Sequence, residues 1–182
     1  MSNIGKGTAK STYFEWQEDA LAAASLSNAQ IEGDDAIAVE PTPTVRMGNY
    51  TQISRKTVSV SGSLEAVDKA GRKSEMAYQM AKSASELKRD MEVALTQNTT
   101  AVVGSASVAR QLRGLEGWIK TNNSLGSGGA APNPDTNTAP TDGTQRALTE
   151  AIVKSVLQQI WTAGGNPDTI MVGGTQKQLF ST

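Results

Sequence analysis

GRKSEMAYQMAKSASELKRDMEVALTQN, residues 71–98, is the stretch from which the rest of the chain is best read. Met76, Met80, Ala84, Leu87, Met91 and Leu95 follow one another at steps of four or three, the spacing that keeps side chains on one face of an α-helix. On the other side Lys82 precedes Glu86 and Lys88 precedes Glu92 by four residues, so each pair can meet across one turn. Neither Gly nor Pro interrupts the interior, so nothing in the sequence kinks the helix. The spacing predicts one straight helix with a Met-rich stripe that seats it on the sheet of its own domain. A Met-rich stripe is also an adaptable partner groove, and packing in the core is the simpler use.

On the N-terminal side, Tyr50–Ser63 turns to Thr, Val, Ile and Ser, with Val58 and Val60 alternating against Ser59 and Ser61, which predicts a strand. Ile53 has the opposite parity, so a bulge or a strand with two contact faces is expected. Residues 1–48 show no sustained period. Ala20, Leu21 and Ala24 allow a short helix within Glu15–Ser27, and Gly33, Pro41, Pro43 and Gly48 break the chain beyond it.

On the C-terminal side, Ser105–Arg113 is a short helical candidate, followed by the apolar piece GLEGWI at 114–119. Residues 121–144 dissolve into Asn, Gly, Pro, Thr and Asp, the composition of a long mobile surface loop. Thr144 is placed to cap a second helix, Gln145–Ala163, on the spacing of Leu148, Ile152, Val156 and Ile160. Gly164-Gly165-Asn166-Pro167 ends it. Thr169–Val172 reads as a buried strand and Thr175–Phe180 as the start of a further helix. A stop at Thr182 within that element is expected of a piece of a longer protein.

Composition narrows the chemistry. The 182 residues contain no Cys and no His, which removes disulfides, thiolate and imidazole metal ligands, thiol nucleophiles and the commonest general base. Leu, Ile, Val and Phe together number 33, a modest core allowance, while the net charge of −1 speaks against full disorder. Met1–Ser11 has no apolar run behind its lysines and no stretch approaches the ~18 apolar residues of a membrane span, so an intracellular, soluble life is expected. The isoelectric point near 5.5 does not suit a dedicated nucleic-acid binder.

Charge is uneven along the chain. Seven carboxylates and no cation lie between Lys10 and Arg46, whereas residues 71–120 are net positive. The acidic run is either a solvated arm or an arm that lies on a basic surface of a neighbouring subunit.

Several short motifs carry little. Ser85-Glu-Leu-Lys88 has S-x-x-K spacing without the elements that accompany it in serine acyltransfer enzymes. Val172-Gly-Gly-Thr-Gln-Lys177 and Gly5-Lys-Gly-Thr8 lack phosphate-loop spacing. Asp34-Asp35 without further oxygen ligands reads as a solvated turn. Trp16, Trp118 and Trp161 read as packing anchors rather than a base-stacking platform. No catalytic constellation, metal site or cofactor site emerges.

The ordered set Glu15-Trp16-Gln17, Gly48–Ile53, Val60-Ser-Gly62, Ala70-Gly-Arg72, Glu75, Ala77-Tyr-Gln79, Glu86–Asp90, Gly114–Ile119, Ile160-Trp161, Gly164-Gly165 and Asn166–Ile170 resembles the major capsid (head) proteins of tailed bacteriophages, a branch of the Hong Kong 97 fold. The resemblance spans residues 15–180. It implies an α+β subunit with an N-terminal arm (1–34), an extended loop (35–62), a peripheral domain with a spine helix (63–104) and the start of an axial domain (105–182). It further implies a non-enzymatic role: hexamers and pentamers in an icosahedral shell around double-stranded DNA, held non-specifically at the inner surface. The subunit would be made in the host bacterial cytoplasm and end in the virion, with scaffolding or decoration supplied by separate chains and no membrane involved. A tail or adhesion component of a phage or prophage is the other structural reading, and a hydrolase using carboxylates alone is a third.

For a shell subunit, the subunit-contact candidates are Asp34, Asp35 and Glu40 on the acidic run, and Arg46, Tyr50, Arg55 and Lys56 on the loop. Lys73, Lys82, Lys88 and Arg89 on the long helix and its approach complete the set.

Overall fold

A computed structural model describes residues 5, 7–68 and 70–181. The Met1–Ile4 end of the arm and Lys6 of the Gly5–Thr8 stretch lie outside the described residues. The elements are β1 (Tyr13–Glu18), β2 (Val45–Tyr50), α1 (Gly62–Ala66), α2 (Glu75–Thr96), a 3-10 turn at Leu115–Trp118, α3 (Glu150–Thr162) and α4 (Gly174–Phe180). Strands and helices together place the chain in the α+β class.

The long helix forms where its periodicity puts it. Ser74 caps it through a hydroxyl that accepts the Ala77 N–H. The Glu65 carboxylate accepts the N–H groups of Glu75 and Met76 at 2.9 and 3.2 Å, satisfying two more first-turn donors with a charge favoured by the helix dipole. The 22 residues make a rod of about 33 Å. The expected Lys82–Glu86 pair is present at 3.8 Å.

The expected seating of the Met-rich stripe is not. Met80, Ala84 and Met91 are exposed, and Met76, Leu87 and Leu95 are half-buried. The only sheet among the described residues is the two-stranded ribbon β1–β2, and it does not cover the helix. A ribbon of that width supplies no broad apolar face.

The ribbon also corrects two expectations. Tyr13–Glu18 is a strand rather than the start of a helix, paired antiparallel with Val45–Tyr50 in the register Tyr13↔Tyr50 to Glu18↔Val45. Its Tyr-Phe-Glu-Trp sequence has β-forming aromatics, and the Tyr13 and Tyr50 rings meet at 4.6 Å. The alanines after it form no helix, because a few good helix formers without a packing surface do not meet the cost of nucleation. At the other end, the strand stops at Tyr50 instead of running from Tyr50 to Ser63. Thr51 still donates its N–H to the Thr12 carbonyl, residues beyond it find no partner strand among the described residues, and Ser61 caps α1 instead.

Residues 19–44 therefore leave and re-enter the ribbon as one excursion. All are exposed, Leu21 completely so. Limited proteolysis is expected to cut here first, since exposed backbone with few bonds to the rest of the chain is the preferred substrate. A protease specific for basic residues finds no site between Lys10 and Arg46, so thermolysin or a Glu-specific enzyme is the reagent. A first cut mapped by mass spectrometry to 122–143 would contradict this.

That loop, read from composition as mobile, is closed on itself. Ala130 bridges Thr141, Asn133 bridges Thr138, and the Thr144 N–H and hydroxyl both donate to the Ser127 carbonyl. Small residues make this possible: a Cβ on Gly143 would lie 2.6 Å from the Gly126 carbonyl carbon. Thr144, engaged in the loop, leaves the capping of α3 to Thr149, and the helix begins at Glu150 rather than Gln145.

The remaining C-terminal expectations divide. Gly164 adopts φ +86° and ends α3 with bonds from the Gly164 and Gly165 N–H groups to the Trp161 and Ile160 carbonyls, the left-handed stop expected of Gly-Gly. Residues 105–113 form a turn with a Val102↔Gln111 bridge instead of a helix. Residues 169–172 are neither strand nor buried, as no strand lies beside them among the described residues. Trp161 is 77% exposed and anchors nothing. Met47, on the ribbon, and Pro132 are the buried apolar side chains among the described residues; Asn49, Glu75 and Arg113 are the buried polar or charged ones.

Candidate assembly surface

The residues singled out by charge occupy two regions. Asp34, Asp35 and Glu40 sit on the excursion, exposed, with no ion pair among the described residues; the Asp34 carboxylate only accepts the Asp35 N–H. Arg46, at the ribbon base, reaches across to Glu15 at 2.9 Å with both side chains largely in solvent. Tyr50 is held against Tyr13. Arg55 is exposed.

On the other region, Lys56 pairs with Asp90 of α2 at 2.8 Å and ties the segment after the ribbon to the helix. The hydrogen bond to Asp90, and then its charge, raises the Lys56 pKa above the ordinary lysine value. Lys73 precedes α2, exposed, and lines an open polar hollow with Glu65, Asp68 and Arg72. Lys82, Lys88 and Arg89 are exposed along the helix, Arg89 beside Lys56 and Asp90. The structure thus gathers Lys56, Lys82, Lys88 and Arg89 on or against α2, while Arg46 stays with the ribbon.

The best-organised cluster was not among those residues. Arg113 is 4% exposed. Its backbone N–H donates to the Asn49 side-chain oxygen at 2.8 Å, and its carbonyl accepts from the Asn49 amide at 3.2 Å. Its guanidinium donates to the Gly117 carbonyl at 3.2 Å, the Pro134 carbonyl at 3.1 Å and the Asn137 side-chain oxygen at 2.7 Å. It also lies 4.9 Å from the Trp118 ring centre, and Trp118 meets Trp16 of β1 at 5.0 Å.

These hydrogen-bond acceptors are neutral. Burial accordingly pulls the Arg113 pKa below its ordinary value, with the charge of nearby Asp135 acting against that shift. Asn137 holds the other side of the cluster: with φ +54°, it exchanges two side-chain bonds with the Ala101 backbone at 3.0 and 2.8 Å. Nothing in the sequence marks Arg113 out, since its partners lie up to 64 residues away. The GLEG stretch beside it was the available signal. A Cβ on Gly117 would sit 2.8 Å from the Arg113 side chain, so the glycine is required by this close approach.

A polar cluster of this kind holds segments in place. Among the described residues no group of three or more His, Cys, Asp or Glu side chains could hold a metal ion, and no helix is long and apolar enough to cross a membrane.

Comparison with known proteins accords with a structural role. The profile of the SU10 major capsid protein family matches residues 1–182. The major capsid protein of Escherichia phage Phieco32 is 31% identical over 213 aligned positions, which take in all of this chain and 60% of that relative, so the chain spans about 60% of its length. With its whole length matched by the family profile, the chain belongs to the SU10 major capsid protein family.

Proposed function

We propose that this chain comprises the N-terminal arm, extended loop, peripheral domain with spine helix and start of the axial domain of a phage head subunit of Hong Kong 97 type, and that the subunit builds an icosahedral shell from copies of itself. The observation that carries the reading is surface. A compact monomer of 19.1 kDa exposes ~8,400 Å², whereas this chain exposes 15078 Å². A chain so open is suited to being covered by neighbours, by further chain of its own subunit, or by both.

Division at about residues 34, 62 and 104 gives the arm, loop, peripheral domain and axial domain of such a subunit. The ribbon runs across the first boundary, so arm and loop share one root. The acidic excursion supplies contacts to Lys73, Lys82, Lys88 and Arg89 on or before a second copy's α2. Of the loop cations Arg46, Arg55 and Lys56, Arg55 is the one without an ion pair among the described residues and supplies a contact to a third copy. Many weak contacts in a closed lattice raise the effective concentration for each next one. The role is structural and needs no catalysis; double-stranded DNA fills the interior without sequence-specific contacts, and scaffolding or decoration comes from other chains.

Negative-stain imaging and light scattering of the full-length gene product are the test. Closed polyhedra are expected. Tubes or small rings would instead make this a tail component.

A further inference from the structure

We propose that Arg113 is the positioning residue that aims the β1–β2 ribbon, and with it the exposed excursion 19–44, relative to α2. A two-stranded ribbon is marginal alone and has no broad face to dock, so its direction must come from a few specific contacts. Arg110 holds Thr51, one residue past β2, at 2.6 and 3.2 Å, and the contacts to the strands themselves converge on Arg113. The Arg113 backbone is doubly bonded to Asn49 of β2, and its guanidinium is fixed on the far side by Asn137 at 2.7 Å. Trp118 lies between the guanidinium, 4.9 Å away, and Trp16 of β1, 5.0 Å away. One residue therefore joins both strands to the closed loop behind them, β2 through its backbone and β1 and the loop through its guanidinium.

The chemistry suits a fixed joint. Arginine stays charged at any working pH, and its planar fork bonds several oxygens while stacking on a ring. Lysine offers a compact point charge without the planar fork. The contacts are buried or part-buried and their acceptors are neutral, so salt screens them far less than it screens the exposed charges of the excursion. The aim of the ribbon should therefore survive salt that weakens contacts between subunits. The consequence for assembly rests on the shell-subunit reading, but the joint itself belongs to the single chain and is measurable without a shell.

The absence of cysteine permits site-specific labelling. Spin labels placed through Thr44→Cys at the root of the excursion and Ser85→Cys on α2, in the unassembled full-length protein, report the ribbon–helix distance by double electron–electron resonance. The wild-type background is expected to give one narrow distance that persists in about 1 M NaCl. Arg113→Lys and Asn49→Ala are each expected to lose it to a broad distribution while far-ultraviolet circular dichroism retains the helices. A narrow, wild-type distance in Asn49→Ala overturns the proposal whether or not Arg113→Lys folds, as does a narrow distance in folded Arg113→Lys. So does broadening of the wild-type distance by salt. Failure to form shells leaves this outcome unchanged and counts only against the shell-subunit reading.

Discussion

Gly114→Ala is expected to destabilise the chain by ~3 kcal/mol, the upper end of what an added methyl costs in a filled site. The new Cβ would land on the Gln97 carbonyl oxygen, far inside van der Waals contact. Gln97 caps α2 through its N–H to the Val93 carbonyl, and the Gly114 N–H donates to the Thr99 carbonyl at 3.2 Å. Backbone therefore faces backbone, and no flexible side chain is present to give way. The substitution must lift the Leu115–Trp118 turn off the end of α2 and disturb Arg113 beside it. With urea m-values of about 1–3 kcal/mol per molar, the unfolding midpoint should fall by ~1–3 M. Gly62→Ala is the control. It opens α1 with open space around it, so it should be neutral or stabilising by up to ~1 kcal/mol. Equal midpoints for the two variants would show that Gln97 and Gly114 are not in close backbone contact.

The second large effect is on assembly. Asp34→Asn, Asp35→Asn and Glu40→Gln together are expected to leave folding intact and to abolish efficient shell formation. None of the three carboxylates is ion-paired among the described residues, so neutralising them breaks no ion pair there. Each exposed pair with a neighbour is worth only ~0.2–1 kcal/mol, but the loss recurs at every subunit of a closed lattice. Screening supplies an independent handle: the Debye length falls from about 8 Å at physiological salt to about 3 Å at 1 M. Wild-type assembly, followed by light scattering, should therefore fail at ~1 M NaCl while circular dichroism is unchanged. Shells that form equally well from the triple variant at every salt concentration would make the acidic run a solvated face and nothing more.

Elements legible in the sequence are those with near partners. The long helix is readable because its stripe and its Lys82–Glu86 pair rest on residues three or four apart in sequence. The Gly164 stop of α3 is readable for the same reason. Sequence and structure part where a distant partner decides. Tyr13–Glu18 resembles a helix start until Val45–Tyr50 pairs with it, and Tyr50–Ser63 resembles a strand for which no partner exists among the described residues. Composition makes 121–144 a mobile loop, yet the same glycines that suggest mobility also let Gly126 and Gly143 approach closely enough to close it.

By itself the sequence determined the class of chemistry and the main rod. The lack of Cys and His removed thiol and imidazole chemistry, and the ordered motifs pointed to capsid proteins. Only the tertiary structure decided that the acidic run is slung between two paired strands, that the Met-rich stripe stays largely uncovered by this chain, and that Arg113 is buried where ribbon and loop meet. The physical reason is range. Helical periodicity and capping are enforced by neighbours a turn away. Strand register and a buried guanidinium depend on groups tens of residues distant, whose encounter leaves no local mark in the sequence.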